Sequence, residues 1–461
     1  MSLISSISGI RGTIGGKVGE NLTPIDIVKY VSAFITLLKE NEPNKTLRIV
    51  VGRDARISGE MVNSIVCGTI QSMGADVIDV GLSTTPTVEM SVVSHKADGG
   101  IIITASHNPM QWNALKLLRS NGEFVSGADG VRIQQWVKEA NFTYAEAKKL
   151  GHYSFYENAI ADHIEKILAL EWVDVDAISR ANFNVAVDAV NSTGGIAIAQ
   201  LLKKLGVKRS TILNGEPTGV FAHNPEPLPE HLAEISNLID KNSFHVGFVV
   251  DPDVDRLAIV MENGEMFGEE YSLVAIADYI LQNQKGNTVS NLSSTRALRD
   301  ISEKYGVSYA AAAVGEVNVV EKMKETNAII GGEGNGGIIL PALHYGRDAL
   351  VGIALFLTYM AKTKKSPVQI KSQFPSYFIS KNKIELKPET NVPHILDCVA
   401  EKYKAYSVNR IDGVKVDFED NWIHLRASNT EPIIRIYSEA ENMDEANKLA
   451  QQIKDVIASM I

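Results

Sequence analysis

Cysteine is almost missing from this chain: its 461 residues hold only Cys67 and Cys398. Two isolated thiols, far apart in sequence, exclude a disulfide framework and suit apolar positions in a reducing compartment. Positive charge is also in deficit, since 45 Lys and Arg stand against 55 Asp and Glu for a net charge of −10. With no basic footprint, neither nucleic acid nor an anionic membrane surface is expected as the main partner. Apolar runs stay well below the length of a membrane span. The start, MSLISSISGIRGTIGG, lacks both a basic beginning and a sustained apolar stretch, so no signal peptide is expected. These absences predict a soluble, cytoplasmic protein, monomer or homodimer, whose partners are small molecules. An acidic chain that binds an anion must gather its cations locally.

What is present is length and alternation. A chain of this size exceeds one core and predicts three or four domains. Residues 23–40 read as a helix, with Thr23 as cap, Pro24 at the first helical position, and Ile27, Val28, Val31, Phe34, Ile35 and Leu38 on one face. LRIVVG (47–52) reads as a buried strand, Ser58 to Met73 as a helix stopped by Gly74, and ADVIDVG as another strand. Such alternation predicts parallel sheets with helices on both faces. Near-continuous apolar runs ending in polar or glycine-rich loops recur at 99–109, 246–255 and 328–337. They suit central parallel strands whose following loops bind ligands. The last ninety or so residues read instead as an antiparallel α+β unit. The expected division is 1–153, 154–257, 258–369 and 370–461.

Four loops carry chemistry. In Thr104-Ala105-Ser106-His107-Asn108-Pro109 a serine is held in a tight turn after a buried strand. Without a G-x-S-x-G elbow it makes a poor hydrolase, and an isolated turn serine decides little. Asp251-Pro252-Asp253-Val254-Asp255-Arg256 places three carboxylates at alternate positions, where extended backbone lets them converge on a hard divalent cation. The EF-hand spacing of Asp251, Asp253, Asp255 and Glu262 fails, because Arg256 stands where that loop needs glycine. A phosphatase with an aspartate nucleophile would leave Ser106 unexplained. Gly332-Glu333-Gly334-Asn335-Gly336-Gly337 sets a carboxylate and an amide beside flexible backbone, which suits a polyhydroxylated ligand. Arg426-Ala427-Ser428-Asn429-Thr430-Glu431-Pro432-Ile433-Ile434-Arg435 gathers cations and hydroxyls into a pocket for a phosphate dianion. Arg435 is also compatible with a solvated strand face.

In this order the four loops, with Ser8-Gly9-Ile10-Arg11-Gly12 and Gly52-Arg53-Asp54-Ala55-Arg56 near the start, resemble the α-D-phosphohexomutase family. The likeness runs from about residue 8 to 440. It implies three similar α/β domains with mixed, mostly parallel sheets and a C-terminal α+β domain around a central cleft. It implies that Ser106 carries a phosphoryl group, with Asp251, Asp253 and Asp255 holding Mg²⁺ against it. Arg256 contacts the phosphoserine, and Arg11 and His107 line the same pocket. Lys116 matches a lysine proposed as acid/base, a task that needs its pKa lowered by burial or neighbouring cations. Glu333 and Asn335 would bind the sugar, and Arg426, Ser428, Asn429, Thr430 and Arg435 the phosphate already on it. The reaction implied passes through a hexose bisphosphate that turns end for end, with movement of the last domain.

Two departures from the family pattern bear on mechanism and substrate. Gly337 stands where many members have a histidine, and His344 is the candidate substitute as acid/base. Ala114 replaces a glycine usual between Asn113 and Lys116. The G-E-x-N-G-G form of the third loop resembles an archaeal-like branch, and T-E-P-x-I-R in the fourth looks closer to phosphoglucosamine mutases. The expected reaction is interconversion of glucosamine 6-phosphate and glucosamine 1-phosphate, with mannose or glucose phosphates as the alternative.

Overall fold

The computed structural model describes residues 2–6, 9–41, 45–387, 390–427 and 433–459. Its first sheet has seven strands, ordered Ile4–Ser6, Gly9–Thr13, Trp112–Arg119, Gly99–Ile103, Arg48–Arg53, Asp76–Leu82 and Tyr153–Phe155. The second runs Leu257–Val260, Val246–Val250, Asn184–Asp188, Arg209–Leu213, and the third Tyr309–Ala312, Asn287–Asn291, Ala328–Glu333, Gly337–Ile339. Each combines parallel pairs with an antiparallel neighbour. The fourth sheet, within 378–440, is antiparallel throughout.

Local sequence explains the helices that cover these sheets. Pro24–Asn41 begins on Pro24, where a missing N–H costs nothing, and Asp26 accepts from the backbone N–H of Thr23 at 3.2 Å. Gly59–Ser72 ends just before Gly74, whose φ of +73° suits a residue without Cβ.

One topological place recurs. In the first three sheets the last parallel strand turns back into an antiparallel partner: Gly99–Ile103 into Trp112–Arg119, Val246–Val250 into Leu257–Val260, and Ala328–Glu333 into Gly337–Ile339. Three of the four chemistry-bearing loops of the sequence are these turns. Each holds a residue in the left-handed region: Ser106 at φ 49°, Val254 at 61° and Gly336 at 84°. The stretch between Trp422–Ala427 and Ile433–Ala440 also joins antiparallel neighbours.

The second sheet runs past the expected boundary at 257, because Leu257–Val260 pairs with Val246–Val250 residue for residue. The helix Pro367–Lys371 straddles the one at 369. Reading each apolar run as a separate strand hid the hairpin return. The second and third units moreover share one core. The helix Ala349–Thr363 is apolar almost all round and buried from Ala349 to Met360. Its Phe356 packs edge-on against Phe248 of the second sheet at 6.2 Å and against Phe267 at 5.4 Å. The first and fourth units keep cores of their own, around Ile49, Val51 and Leu115 and around Val414, Ile423 and Ile436. Among the described residues no helix is long and apolar enough to cross a membrane.

The fourth unit docks on the third through His424. Its Nδ1 lies 2.9 Å from Ser293 Oγ and its Nε2 2.7 Å from the carbonyl of Asp412. Burial pushes this imidazole down to about 4, against the bond to Asp412, with Lys415 adding to the depression. Between pH 6.5 and 4 the unfolded chain therefore takes up a proton that the folded chain refuses, and stability falls as pH drops through that window. The expected loss at pH 4 is on the order of 3 kcal/mol, with no effect above pH 6.5. Urea unfolding of wild type and His424→Gln from pH 4 to 7 checks this, the variant losing that part of the slope.

Candidate active site

Ser106 is held from both sides. Its N–H donates to Thr104 Oγ1 at 2.9 Å, and Thr104 Oγ1 donates to Asp54 Oδ2 at 2.6 Å. Arg56 grips the rest of the turn. Its Nε donates to Asp54 Oδ2, its Nη1 to the carbonyls of Pro109 and Trp112, and its Nη2 to those of Ser106 and Asn108, at 2.5–3.0 Å. All five donors of a fully buried guanidinium are used, four of them on one loop. This is how a serine is kept at φ 49° with its hydroxyl presented to the neighbouring unit.

That hydroxyl donates to Asp251 Oδ2 at 2.7 Å. Asp251, Asp253 and Asp255 are all fully buried, with one oxygen from each lying within 4.8 Å of the others. Asp251 Oδ1 accepts the backbone N–H groups of Asp255 and Arg256, closing the turn around Val254. Asp253 Oδ2 accepts from Thr85 Oγ1 at 2.6 Å and from Lys116 Nζ at 2.7 Å. Asp255 Oδ2 accepts from Arg347 Nη2 at 2.6 Å. The second oxygens of Asp253 and Asp255 are buried without a hydrogen-bond partner.

Crowding sets the electrostatics. Burial, then the charges of Asp255 and Asp253, raise the Asp251 carboxyl well above its ordinary range. Burial would raise Asp255 too, but Arg347, Lys116 and Arg256 outweigh it and hold that carboxyl below its ordinary range. For Lys116 burial favours the neutral amine, yet Asp253 and Asp255 prevail and raise its pKa. The condition for a general base, a lowered lysine, is not met here: carboxylates, not cations, are its nearest neighbours. Beside them His107, burdened by burial and by Arg256, is pushed down to about 2 and stays neutral. Three clustered carboxylates with two unpartnered oxygens fit a hard divalent cation better than they fit one another.

A cavity of about 650 Å³ opens over this cluster, with Arg11, Ser106, His107, Lys116, Arg256, Glu333, Asn335 and Arg426 all on its wall. All four units thus contribute predicted residues to one cleft. Arg11 is lowered by burial and then by the charge of Arg256. Arg426 is paired with Asp412 at 2.7 Å. Arg435 lies across from Arg426 in the sheet but is exposed and does not line the cavity, so it takes the solvated strand face. Ser428, Asn429 and Thr430 lie outside the described residues. His344 also stands away from the cavity wall, its ring nitrogens 3.2 Å from Glu89 and 3.4 Å from Asp348.

The role of Arg347, central to the site, escaped the sequence, and so did its partner Glu316. Arg347 bonds Asp255, Glu333 Oε2 at 2.8 Å and Glu316 Oε2 at 3.1 Å, joining the second loop to the third. Glu333 is fixed further by Asn291 Nδ2 at 2.8 Å and the N–H of Gly315 at 3.0 Å. An arginine eleven or so positions past a glycine loop has no local signature, and only the fold brings it back. Arg56 was quoted as part of a matching segment, without its role as clamp.

Removing part of that clamp has a predictable cost. Arg56→Lys loses the planar fork, leaving carbonyls of the Ser106 loop and the Asp54 carboxylate short of donors. A loss of about 1–3 kcal/mol is expected for each buried acceptor left without its donor. Chemical denaturation of the variant against wild type measures it.

Comparison with known proteins agrees along the whole chain. Residues 4–144, 161–264 and 269–377 match alpha/beta/alpha domains I, II and III of the phosphoglucomutase/phosphomannomutase models, and 387–456 match their C-terminal domain. The chain is 35% identical over 443 residues to a phosphoglucomutase/phosphomannomutase of Thermococcus kodakarensis, covering 95% of this chain and 96% of that protein. It is 31% identical over 464 residues to a phosphoglucosamine/phosphogalactosamine mutase of Sulfurisphaera tokodaii, covering 99% of each. A crystal structure of a phosphoglucomutase/phosphomannomutase family protein from Burkholderia thailandensis shares the fold, with a TM-score of 0.85 at 23% identity over 100% of this chain and 98% of that one. A match that runs from the first sheet to the last helix leaves one conclusion: this chain belongs to the α-D-phosphohexomutase family and is a phosphomutase of the isomerase class.

Proposed function

We propose that this phosphohexomutase interconverts glucosamine 6-phosphate and glucosamine 1-phosphate by way of a phosphorylated Ser106. The observation that carries the reading is the Ser106 hydroxyl, 2.7 Å from Asp251 in a cleft that can hold a sugar phosphate. The preference for an amino sugar rests on the T-E-P-x-I-R form of the fourth loop and on the likeness to the phosphoglucosamine/phosphogalactosamine mutase. The phosphoglucomutase/phosphomannomutase relative favours mannose or glucose phosphates as the second reading.

Asp251, Asp253 and Asp255 would hold Mg²⁺ beside Ser106, where the ion supplies positive charge for the transferring phosphoryl group. The chain's own residues do the rest. Phosphoryl transfer asks mainly for alignment and charge neutralisation, and Arg11 and Arg256 bring fixed cations to the same wall. The Ser106 turn presents the phosphoryl donor; the sugar hydroxyl attacks phosphorus and gives up its proton, and the serine oxygen leaves and takes one up, restoring the Ser106 hydroxyl. Lys116 holds a proton beside the reacting group, within 2.7 Å of Asp253. Glu333 and Asn335 offer acceptors to sugar hydroxyls, and Arg426 a cation to the distal phosphate. Return of the second phosphate to Ser106 requires the bisphosphorylated sugar to turn end for end within this cleft.

Three outcomes are expected. Ser106→Ala gives no turnover and no phosphate in the intact mass, whereas wild type carries one phosphate that maps to Ser106. Arg256→Met lowers kcat by about 10²–10³-fold, as loss of one preorganised charge-stabilising donor does. Asp253→Asn raises the Mg²⁺ concentration for half-maximal rate, measured by titration at saturating substrate. A panel of glucosamine, glucose and mannose 1-phosphates, primed with the matching bisphosphate, tests the sugar. The amino sugar is expected to lead in kcat/KM, and comparable values for all three would defeat the single-substrate reading.

A further inference from the structure

Outside the cleft, at the seam of the first three units, a second cluster of ligand-type side chains is assembled. His163 comes from the helix Ala159–Leu168, His344 from the loop after the third sheet, and Asp348 from the cap of the helix Ala349–Thr363. His163 and Asp348 are buried to 1% exposure. We propose that His163 Nε2, His344 Nε2 and Asp348 Oδ2 form a second metal site, for a borderline transition ion of the Zn²⁺ class, distinct from the aspartate cluster beneath Ser106.

The distances are those of ligands around one ion. Asp348 Oδ2 lies 2.9 Å from His163 Nε2 and 3.4 Å from His344 Nε2, and all three atoms fall within 4.8 Å of one another. Two donors each about 2.1 Å from a metal stand about 3.0 Å apart at a right angle and about 3.4 Å apart at the tetrahedral angle. Two imidazoles and one carboxylate are also the donor set that selects a borderline ion over Mg²⁺, which keeps to oxygen.

The surrounding groups are placed as an outer shell would place them. Both histidines turn Nε2 inward and keep Nδ1 for a partner on the helix Thr85–Ser94 of the first unit. His163 Nδ1 lies 2.9 Å from Thr87 Oγ1, and His344 Nδ1 lies 3.2 Å from Glu89 Oε2. A carboxylate faces each ring nitrogen of His344, so a bound ion displaces its Nε2 proton, and the outer partner on the far nitrogen then holds the Nδ1–H tautomer. The other Asp348 oxygen accepts from the backbone N–H groups of Leu350 and Val351, which orients the carboxylate. Gly346 lets the loop close over Glu89: a Cβ there would stand 1.9 Å from Glu89 Oε2. Each of the three units thus supplies a first or an outer ligand, so a bound ion would pin all three together. This gives His344, which does not line the cavity, a place in the molecule.

Co²⁺ is the probe, added to the whole protein in excess Mg²⁺ so that the aspartate cluster is occupied. One equivalent is expected to bind and to give two solvent-exchangeable, paramagnetically shifted imidazole N–H resonances, one for each Nδ1. They should persist in Asp251→Asn and vanish in His344→Gln with the far-UV dichroism unchanged. Glu89→Gln, which leaves all three ligands in place, should weaken Co²⁺ affinity about 10- to 100-fold. Failure of Co²⁺ to bind, absence of the shifted N–H pair, or loss of binding in Asp251→Asn but not in His344→Gln would overturn the site. If His344→Gln does not fold, unchanged affinity in Glu89→Gln overturns it.

Discussion

Burying three carboxylates within one turn is the constraint around which the cleft is organised. Asp251, Asp253 and Asp255 have no water to screen them, so each must be answered by a donor or a cation within hydrogen-bond reach. The answers come from elsewhere: Thr85, Ser106 and Lys116 from the first unit and Arg347 from the third. Beyond the two N–H groups of its own turn and the charge of Arg256, these carboxylates rely on side chains of other units, so the loop on the second sheet draws the neighbouring units to it. The same arrangement leaves two oxygens unanswered, and that residue of negative charge is what makes the place receptive to a cation.

Much of this was legible in the sequence, for physical reasons. Alternating helical and extended periodicity gives away parallel strands, and chemistry-bearing loops at their ends are visible because they interrupt near-continuous apolar runs. Ser106, the aspartates, Glu333, Asn335 and Arg426 are local motifs, and the fold gathers them as their order along the chain implied. Arg347 and Glu316 were not legible, because their meaning lies in partners far away in sequence. The state of Lys116 was not legible for a related reason. Its sequence neighbours say nothing of the carboxylates that face it across the interface. Arg435 shares its sheet face with its cross-strand partner Arg426 yet is exposed and off the cavity wall.

The clamp on Ser106 and the caps on the aspartate turn do similar work. In both, a left-handed residue is held by hydrogen bonds to its flanking backbone, four from Arg56 on one side and two into Asp251 Oδ1 on the other. Neither loop depends on a bound ligand to keep its shape. Positioning is supplied by the framework before the substrate arrives.

The shared core of the second and third units carries a mechanical consequence. Where four sheets are counted, only three bodies can move, because the helix Ala349–Thr363 is packed into both middle units at once. The spacing between the aspartate loop and the sugar loop is therefore a fixed dimension, set by side-chain packing and by Arg347 strung between them. Opening or narrowing of the cleft falls to the outer two bodies. A sugar that reverses its ends would do so against a rigid floor, with only the walls free to give way.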